Sequence, residues 1–167
     1  MNTVTVNAQE IPLPSWSSSI INFAKKVLKE KGCKNWELSI LLCDDKTIKE
    51  LNNRYRDKNE PTDILSFNLG ETVQKKGKTV YFPGDIVISL ETLSENAMYF
   101  QITEDEELRR LIIHGILHLD GMEHETIDPQ EPMLKLQEEL MFKLKDETII
   151  PAQIIEIDQL IIDGEIK

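Results

Sequence analysis

The sequence predicts an α/β domain in which a small mixed sheet of about four strands is flanked by helices. Three observations lead there. Segments with a helical apolar period alternate with short runs of strand length, from Thr3 to Leu144. One run, Trp36 to Cys43 (WELSILLC), is almost continuously apolar, as a strand covered on both faces must be. All three histidines, His114, His118 and His124, fall within LRRLIIHGILHLDGMEH, whose spacing belongs to a helix ended by a tight turn.

The elements follow in order. Thr3 to Asn7 alternates weakly and is rich in β-formers, which predicts a short first strand. Beyond the breakers Pro12 and Pro14, Ser15 to Lys31 carries Ile20, Phe23, Ala24, Val27 and Leu28 at helical spacing, and Gly32 stops it. Trp36 to Cys43 is then the central strand. Asp44 and Asp45 can cap a second helix with Ile48 and Leu51 on its inner face, ending near Asn52 and Asn53. Pro61-Thr62-Asp63 signals a turn before a strand over Ile64 to Asn68. A polar loop with Lys75, Lys76 and Lys78 around Gly77 suits a hairpin tip, and Gly84-Asp85 opens a strand over Ile86 to Ser89.

Leu90 to Phe100 reads as a helix. Thr103 with Glu106 forms a capping box for the histidine-bearing helix, and the acids Glu104 to Glu107 suit the positive end of its dipole. That acidic run is read as helix-start chemistry rather than as a catalytic cluster. Asp128-Pro129 and Glu131-Pro132 each offer a start to a last helix carrying Met133, Leu136, Leu140 and Leu144. A single domain over 1–145 is expected. The isoleucine-rich extension 146–167 is suited to adding a strand or pairing with another copy.

A chain of 167 residues can bury a core without staples. Thirty acidic against nineteen basic residues give a formal charge of -11, so contact with nucleic acid requires a local basic patch. Arg54, Lys58, Lys75, Lys76, Lys78, Arg109 and Arg110 are the candidates for it. The absence of a bilayer-spanning apolar run and of a basic-then-apolar leader predicts a cytoplasmic protein with no membrane contact. Cys33 and Cys43 form no close-spaced metal motif and are expected to be buried and reduced.

His114 and His118 lie four residues apart, one above the other on a helix face, and Gly121 sits where a residue with positive φ can swing the chain back to deliver His124. Single histidines on apolar faces are usually satisfied core residues. Three within eleven residues, with a glycine where the turn needs one, point instead to a metal site. Three imidazoles leave one tetrahedral position of a Zn²⁺ ion open, the pattern of a catalytic site. The spacing is that of the zincin-like metzincin helix, H-E-x-x-H-x-x-G-x-x-H, but Gly115 stands where those peptidases carry their glutamate base.

HGILHLDGMEH also closely resembles the H-G-x-L-H-L-x-G-x-D-H signature of the YbeY family, with Glu123 in place of the usual aspartate. A second stretch, LNNRYRDKNEPTDILSF, is similar to that family's LN-x-x-YR segment leading into PTD-V-L-SF, at Leu51, Asn52, Tyr55, Arg56, Pro61, Thr62, Asp63, Leu65, Ser66 and Phe67. Met133, Gln137 and Glu138 match its M-x-x-x-QE segment. The resemblance covers about residues 36 to 142. It implies a zinc-dependent endoribonuclease specific for single-stranded RNA, acting on ribosomal RNA and the small ribosomal subunit in ribosome maturation. It also implies a functional role for Arg56, whose guanidinium can grip phosphate oxygens bidentately as charge develops.

Read from the residues alone, Arg56 in a polar loop fits a surface ion pair better than a catalytic role, and only its match to the family's functional arginine brings the two readings level. Asp63 and Asp85 could orient a ligand histidine but fit better as turn and strand-edge residues. Two other functions compete with the nuclease: a zinc peptidase or other metallohydrolase, and a non-enzymatic ribosome-binding module keeping a structural zinc. Gly115 in place of a base opposes the first. The open fourth position opposes the second, unless Glu123 or Glu125 closes it.

Overall fold

The computed structural model describes residues 1–152. Its elements are β1 (Thr3–Ala8), α1 (Ser17–Lys31), β2 (Glu37–Cys43), α2 (Asp45–Arg56), β3 (Ile64–Lys75), β4 (Lys78–Ser89), α3 (Leu90–Phe100), α4 (Glu104–Leu119) and α5 (Pro132–Lys143). The strands form one mixed sheet in the order β1-β2-β4-β3. β1, β2 and β4 run parallel, while β3 pairs antiparallel with β4. The apolar run of β2 therefore lies inside the sheet, and among the described residues β3 forms a free edge.

α4 is the central helix. Leu108, Ile112, Ile113, Ile116 and Leu117 are fully buried in the main core with Ile20, Phe23 and Leu28 of α1, Ile40 of β2 and Ile86 of β4. A smaller cluster on the other sheet face joins Cys43, Leu65 and Val87 to Ile48 of α2. Burial pushes the Cys33 thiol up to about 11 and the Cys43 thiol up to about 12, so both stay protonated and unreactive at neutral pH. No helix among the described residues is long and apolar enough to cross a membrane.

Four boundaries differ from the sequence expectation, each for a physical reason. α1 begins at Ser17 rather than Ser15, because the chain first turns after Pro14, with Ser17 N donating to Pro14 O at 3.1 Å. α2 does not stop at Asn52 and Asn53. Asn52 is buried, with Nδ2 donating to Glu60 O, and the helix ends only at Asp57, whose φ of 55° is left-handed. Arg56 consequently belongs to a helix end, not to a loop. β3 and β4 extend well past Asn68 and Gly84, into a hairpin arm turned at Lys76-Gly77 (φ 51° and 77°). Residues 68–79 of that arm are exposed, so no buried face imposes an alternating pattern on the sequence.

α5 starts at the second of the two places that the sequence offered, with Pro132 in its first turn and Glu131 before it. Ile149 is buried against the core, and the backbone N–H groups of Ile149 and Ile150 both donate to Asp105 Oδ1, at 2.6 and 2.8 Å. An added strand or self-pairing was expected over 146–167; residues 146–152 form no strand, and 153–167 lie outside the described residues.

A bulge lets the hairpin arm leave the sheet. Leu69 and Gly70 of β3 oppose Pro83 alone, and Gly70 takes the left-handed φ of 70°. Opposite it, Gly84 has a φ of 133°, and a Cβ there would lie 1.8 Å from Phe67 O. No rotamer change relieves a clash with backbone. Gly84→Ala should therefore cost more than about 2 kcal/mol, read as a lower urea midpoint at unchanged slope. A midpoint within error of wild type would contradict this close strand approach.

Candidate metal centre

The site is built from α4, its C-terminal turn and the segment leading to α5. Thr103 Oγ1 accepts from Glu106 N at 3.0 Å and starts α4, while the Glu106 carboxylate pairs with Arg110 instead of closing the capping box. At the other end the chain makes a Schellman turn: Gly121 N donates to His118 O and Met122 N to Leu117 O, both at 3.0 Å, with Gly121 at a φ of 89°. This is the reversal expected of Gly121, and it brings His124 back over the helix. One ring nitrogen from each of His114, His118 and His124 lies within 4.8 Å of the other two.

Each imidazole is held at Nδ1. His114 Nδ1 donates to Gln137 Oε1 of α5 at 2.7 Å, His118 Nδ1 to Met122 O at 3.0 Å and His124 Nδ1 to Thr126 O at 2.8 Å. A carbonyl oxygen can only accept, so these bonds place the proton of the neutral ring on Nδ1 and leave Nε2 with its lone pair. The Nε2 atoms of His114 and His118 are 3.0 Å apart. Two lone pairs facing one another at that distance repel, and a cation between them converts the repulsion into coordination. The three histidines thus fit a metal ion in donor type, tautomer and spacing.

Burial holds the imidazoles of His114 and His118 below the ordinary histidine value, keeping them neutral and ready to coordinate. Glu123 borders the same cavity, of about 350 Å³, but stands outside the group of converging ligand atoms. The carboxylate of neither Glu123 nor Glu125 joins the three histidines in that group.

Arg56 lines this cavity with Ser66 and Asn68. Its Nη2 donates to Ser66 O at 2.7 Å and its guanidinium lies 5.5 Å from the Phe67 ring centroid. Both contacts secure the side chain on the free edge of β3 while leaving most of its donors available. Asp85, in contrast, faces away. Its neighbour Ile86 packs towards α4, so strand alternation turns Asp85 to the opposite sheet face, where it lines a separate cavity with Ser39, Tyr55 and Phe67. The Asp63 carboxylate is taken up by Asn96 Nδ2 and Thr62 Oγ1, both at 3.3 Å. Neither aspartate orients a histidine. Gln137 and the carbonyls of Met122 and Thr126 do so; the M-x-x-x-QE match marks the position of Gln137 but not this role, and the two backbone carbonyls leave no mark in the sequence.

Three of the seven residues proposed for a basic patch are paired with acids. Arg109 pairs with Asp105 at 3.0 Å, Arg110 with Glu106 and Glu138 at 3.0 and 2.9 Å, and Lys75 with Glu37 at 3.3 Å.

With this geometry in place, the comparisons with known proteins are direct. Residues 3–145 match the sequence model of the family described as Endoribonuclease YbeY. The chain belongs to the YbeY family. It is 47% identical over 147 residues to Endoribonuclease YbeY of Treponema denticola, covering 87% of this chain and 95% of that one. Against the Borreliella afzelii Endoribonuclease YbeY the identity is 46% over 131 residues, covering 77% and 86%. The solution structure of TM1509 from Thermotoga maritima is similar at a TM-score of 0.59 and 25% identity, covering 92% of this chain and 99% of that one. The mixed α/β fold anticipated from the sequence is thus shared with a solved structure.

Two outcomes are expected. Gly115 is buried against the sheet, and a Cβ on it would lie 2.8 Å from Ile86 Cδ1 and 3.1 Å from Ile64 Cδ1. Gly115→Glu should therefore destabilise the fold by about 3 kcal/mol or more and yield no casein cleavage. A stable variant that digests casein would revive the peptidase reading.

The second concerns pH. The unfolded chain protonates His114 and His118 at their ordinary value near 6.5, above the lowered folded-state values. Their contribution is fully present above pH 6.5 and is lost as pH falls through that value towards the folded pKa. Urea midpoints of chelator-treated protein should decline with acid over that window, and His114→Gln with His118→Gln should flatten the decline. An unchanged slope would refute it.

Proposed function

We propose that this protein is a zinc-dependent endoribonuclease that cleaves single-stranded RNA during ribosomal RNA maturation, working with the small ribosomal subunit in the cytoplasm. The observation that carries the reading is the convergence of three imidazoles, each tied at Nδ1, in one cavity with Arg56. The relatives named Endoribonuclease YbeY support RNA as the substrate. We assign 1–145 as the functional domain and 146–167 as an extension to it.

His114, His118 and His124 would hold the ion through their unprotonated nitrogens. A bound Zn²⁺ supplies a Lewis acid that polarises a phosphoryl oxygen and lowers the pKa of coordinated water. The chain's own residues do the rest. Gln137, Met122 O and Thr126 O keep the ring protons on the far side of the cluster. Arg56, fixed by Ser66 O and Phe67, offers its remaining N–H groups to the phosphate as negative charge grows. A glutamate base, as in metzincins, has no place beside the cluster, because Gly115 is packed against Ile86.

Zinc content and cleavage of labelled ribosomal RNA, with casein in parallel, test the reading together. Chelation should abolish RNA cleavage and zinc should restore it, while His118→Ala should lose zinc. Undiminished zinc in that variant would overturn the ligand set, and casein cleavage would overturn the substrate. Arg56→Ala should slow single-turnover cleavage by about 100-fold at saturating RNA, with zinc content and melting near wild type. Arg56→Lys should rescue little, because a point charge cannot reproduce the forked grip. A wild-type rate for Arg56→Ala would reduce Arg56 to a phosphate contact.

A further inference from the structure

His114 and His118 stand on a rigid helix, but His124 lies in a segment without regular structure between α4 and α5. Its orientation must come from contacts that this segment makes. Those contacts converge on Glu131, the residue immediately before α5. A side chain at this position usually caps its own helix, yet Glu131 makes no such bond. It reaches back instead. Oε1 accepts from Glu125 N at 3.1 Å, while Oε2 accepts from Thr126 N at 2.6 Å and from Thr126 Oγ1 at 2.8 Å. Thr126 Oγ1 in turn accepts from Asp128 N at 3.2 Å, and Glu131 N donates to Asp128 O at 3.0 Å.

The residue gripped in this way is the one that orients the histidine. Thr126 O is the acceptor for His124 Nδ1–H, so the carboxylate, holding Thr126 by its N–H and its hydroxyl, fixes the residue whose carbonyl sets both the ring plane and the tautomer of His124. An ionised carboxylate offers acceptors only, which suits three converging donors. We propose that Glu131 is a positioning residue that clamps the 125–126 segment and thereby holds His124 in the Nδ1-protonated, Nε2-available form. The clamp rests on the metal reading for its purpose, but its geometry does not. Through Glu131 and Gln137, α5 governs two of the three imidazoles without supplying a ligand itself.

The test uses the full chain with three substitutions. Glu131→Ala removes the clamp. Glu131→Asp keeps the charge and is a better helix cap, but is one methylene too short to span the same gap. Glu131→Gln keeps one acceptor oxygen and should rescue in part. Histidine ring ¹⁵N NMR of the metal-free protein should show a single Nδ1–H tautomer for His124 in wild type. Glu131→Ala and Glu131→Asp should mix its tautomers and leave His114 and His118 unchanged. Zinc competition with a chelating dye should then give a Kd weaker by about 10- to 100-fold in both variants, with Glu131→Gln in between.

A His124 ring in the wild-type tautomer in Glu131→Asp, or zinc affinity equal to wild type there, overturns the proposal. If Glu131→Ala does not fold, Glu131→Asp decides by the same two readouts. If wild type itself takes up no zinc, the metal reading fails, and the tautomer of His124 still decides for or against the clamp.

Discussion

The close approach of α4 to the sheet at Gly115 sets the distance on which the site depends. Gly115 lies between His114 and His118, and its missing side chain lets the helix backbone come down onto Ile86 of β4 and Ile64 of β3. Any Cβ there would push the helix outward or force Ile86 from its rotamer. Because the histidines flank this contact, they are held beside the free edge of β3, where Arg56 is fastened to Ser66 O. Packing and chemistry thus meet in one residue that has no chemistry of its own.

The three imidazoles share one polarity although they arise from different kinds of structure. One is tied to a side chain on another helix, one to the carbonyl exposed by a Schellman turn, and one to a carbonyl in an irregular segment. Acceptor-only carbonyl partners direct the protons of His118 and His124, and Gln137 Nε2 lies 3.5 Å from Glu138 Oε2, which sets the amide that presents Oε1 to His114. The lone pairs are thereby concentrated in the cavity. A cation placed among these lone pairs would relieve their repulsion, which is why the arrangement fits a metal ion.

Net charge of -11 bears on how such a site meets an anionic polymer. The basic charge on α4 is neutralised internally: Arg109 pairs with Asp105 and Arg110 with Glu106 within the helix, and Arg110 also pairs with Glu138, which braces α4 against α5. The cavity is lined by Arg56, the three imidazoles and one acid, Glu123. Arg56 thus places positive charge locally, at the histidine cavity of an otherwise acidic chain.

How much of this was legible in the sequence follows from how local each cause is. Helix periods, the strand-length run of β2, the Thr103 cap and the turn at Gly121 each depend on residues a few positions apart, and the sequence by itself determined them. So too did His114 and His118 on one helix face, with His124 returned by a glycine. The extent of the β3–β4 arm was not legible, because an arm exposed to solvent on both sides needs no alternation. Nor was the end of α2 at Arg56, since the asparagine that looked like a stop is buried on a partner eight residues away. Tertiary structure alone decided that Gln137 orients His114, that Glu131 grips the segment of His124 and that Asp85 faces away from the cluster. Those assignments depend on which sheet face and which helix end come together, and sequence spacing carries no record of contacts between elements that are distant along the chain.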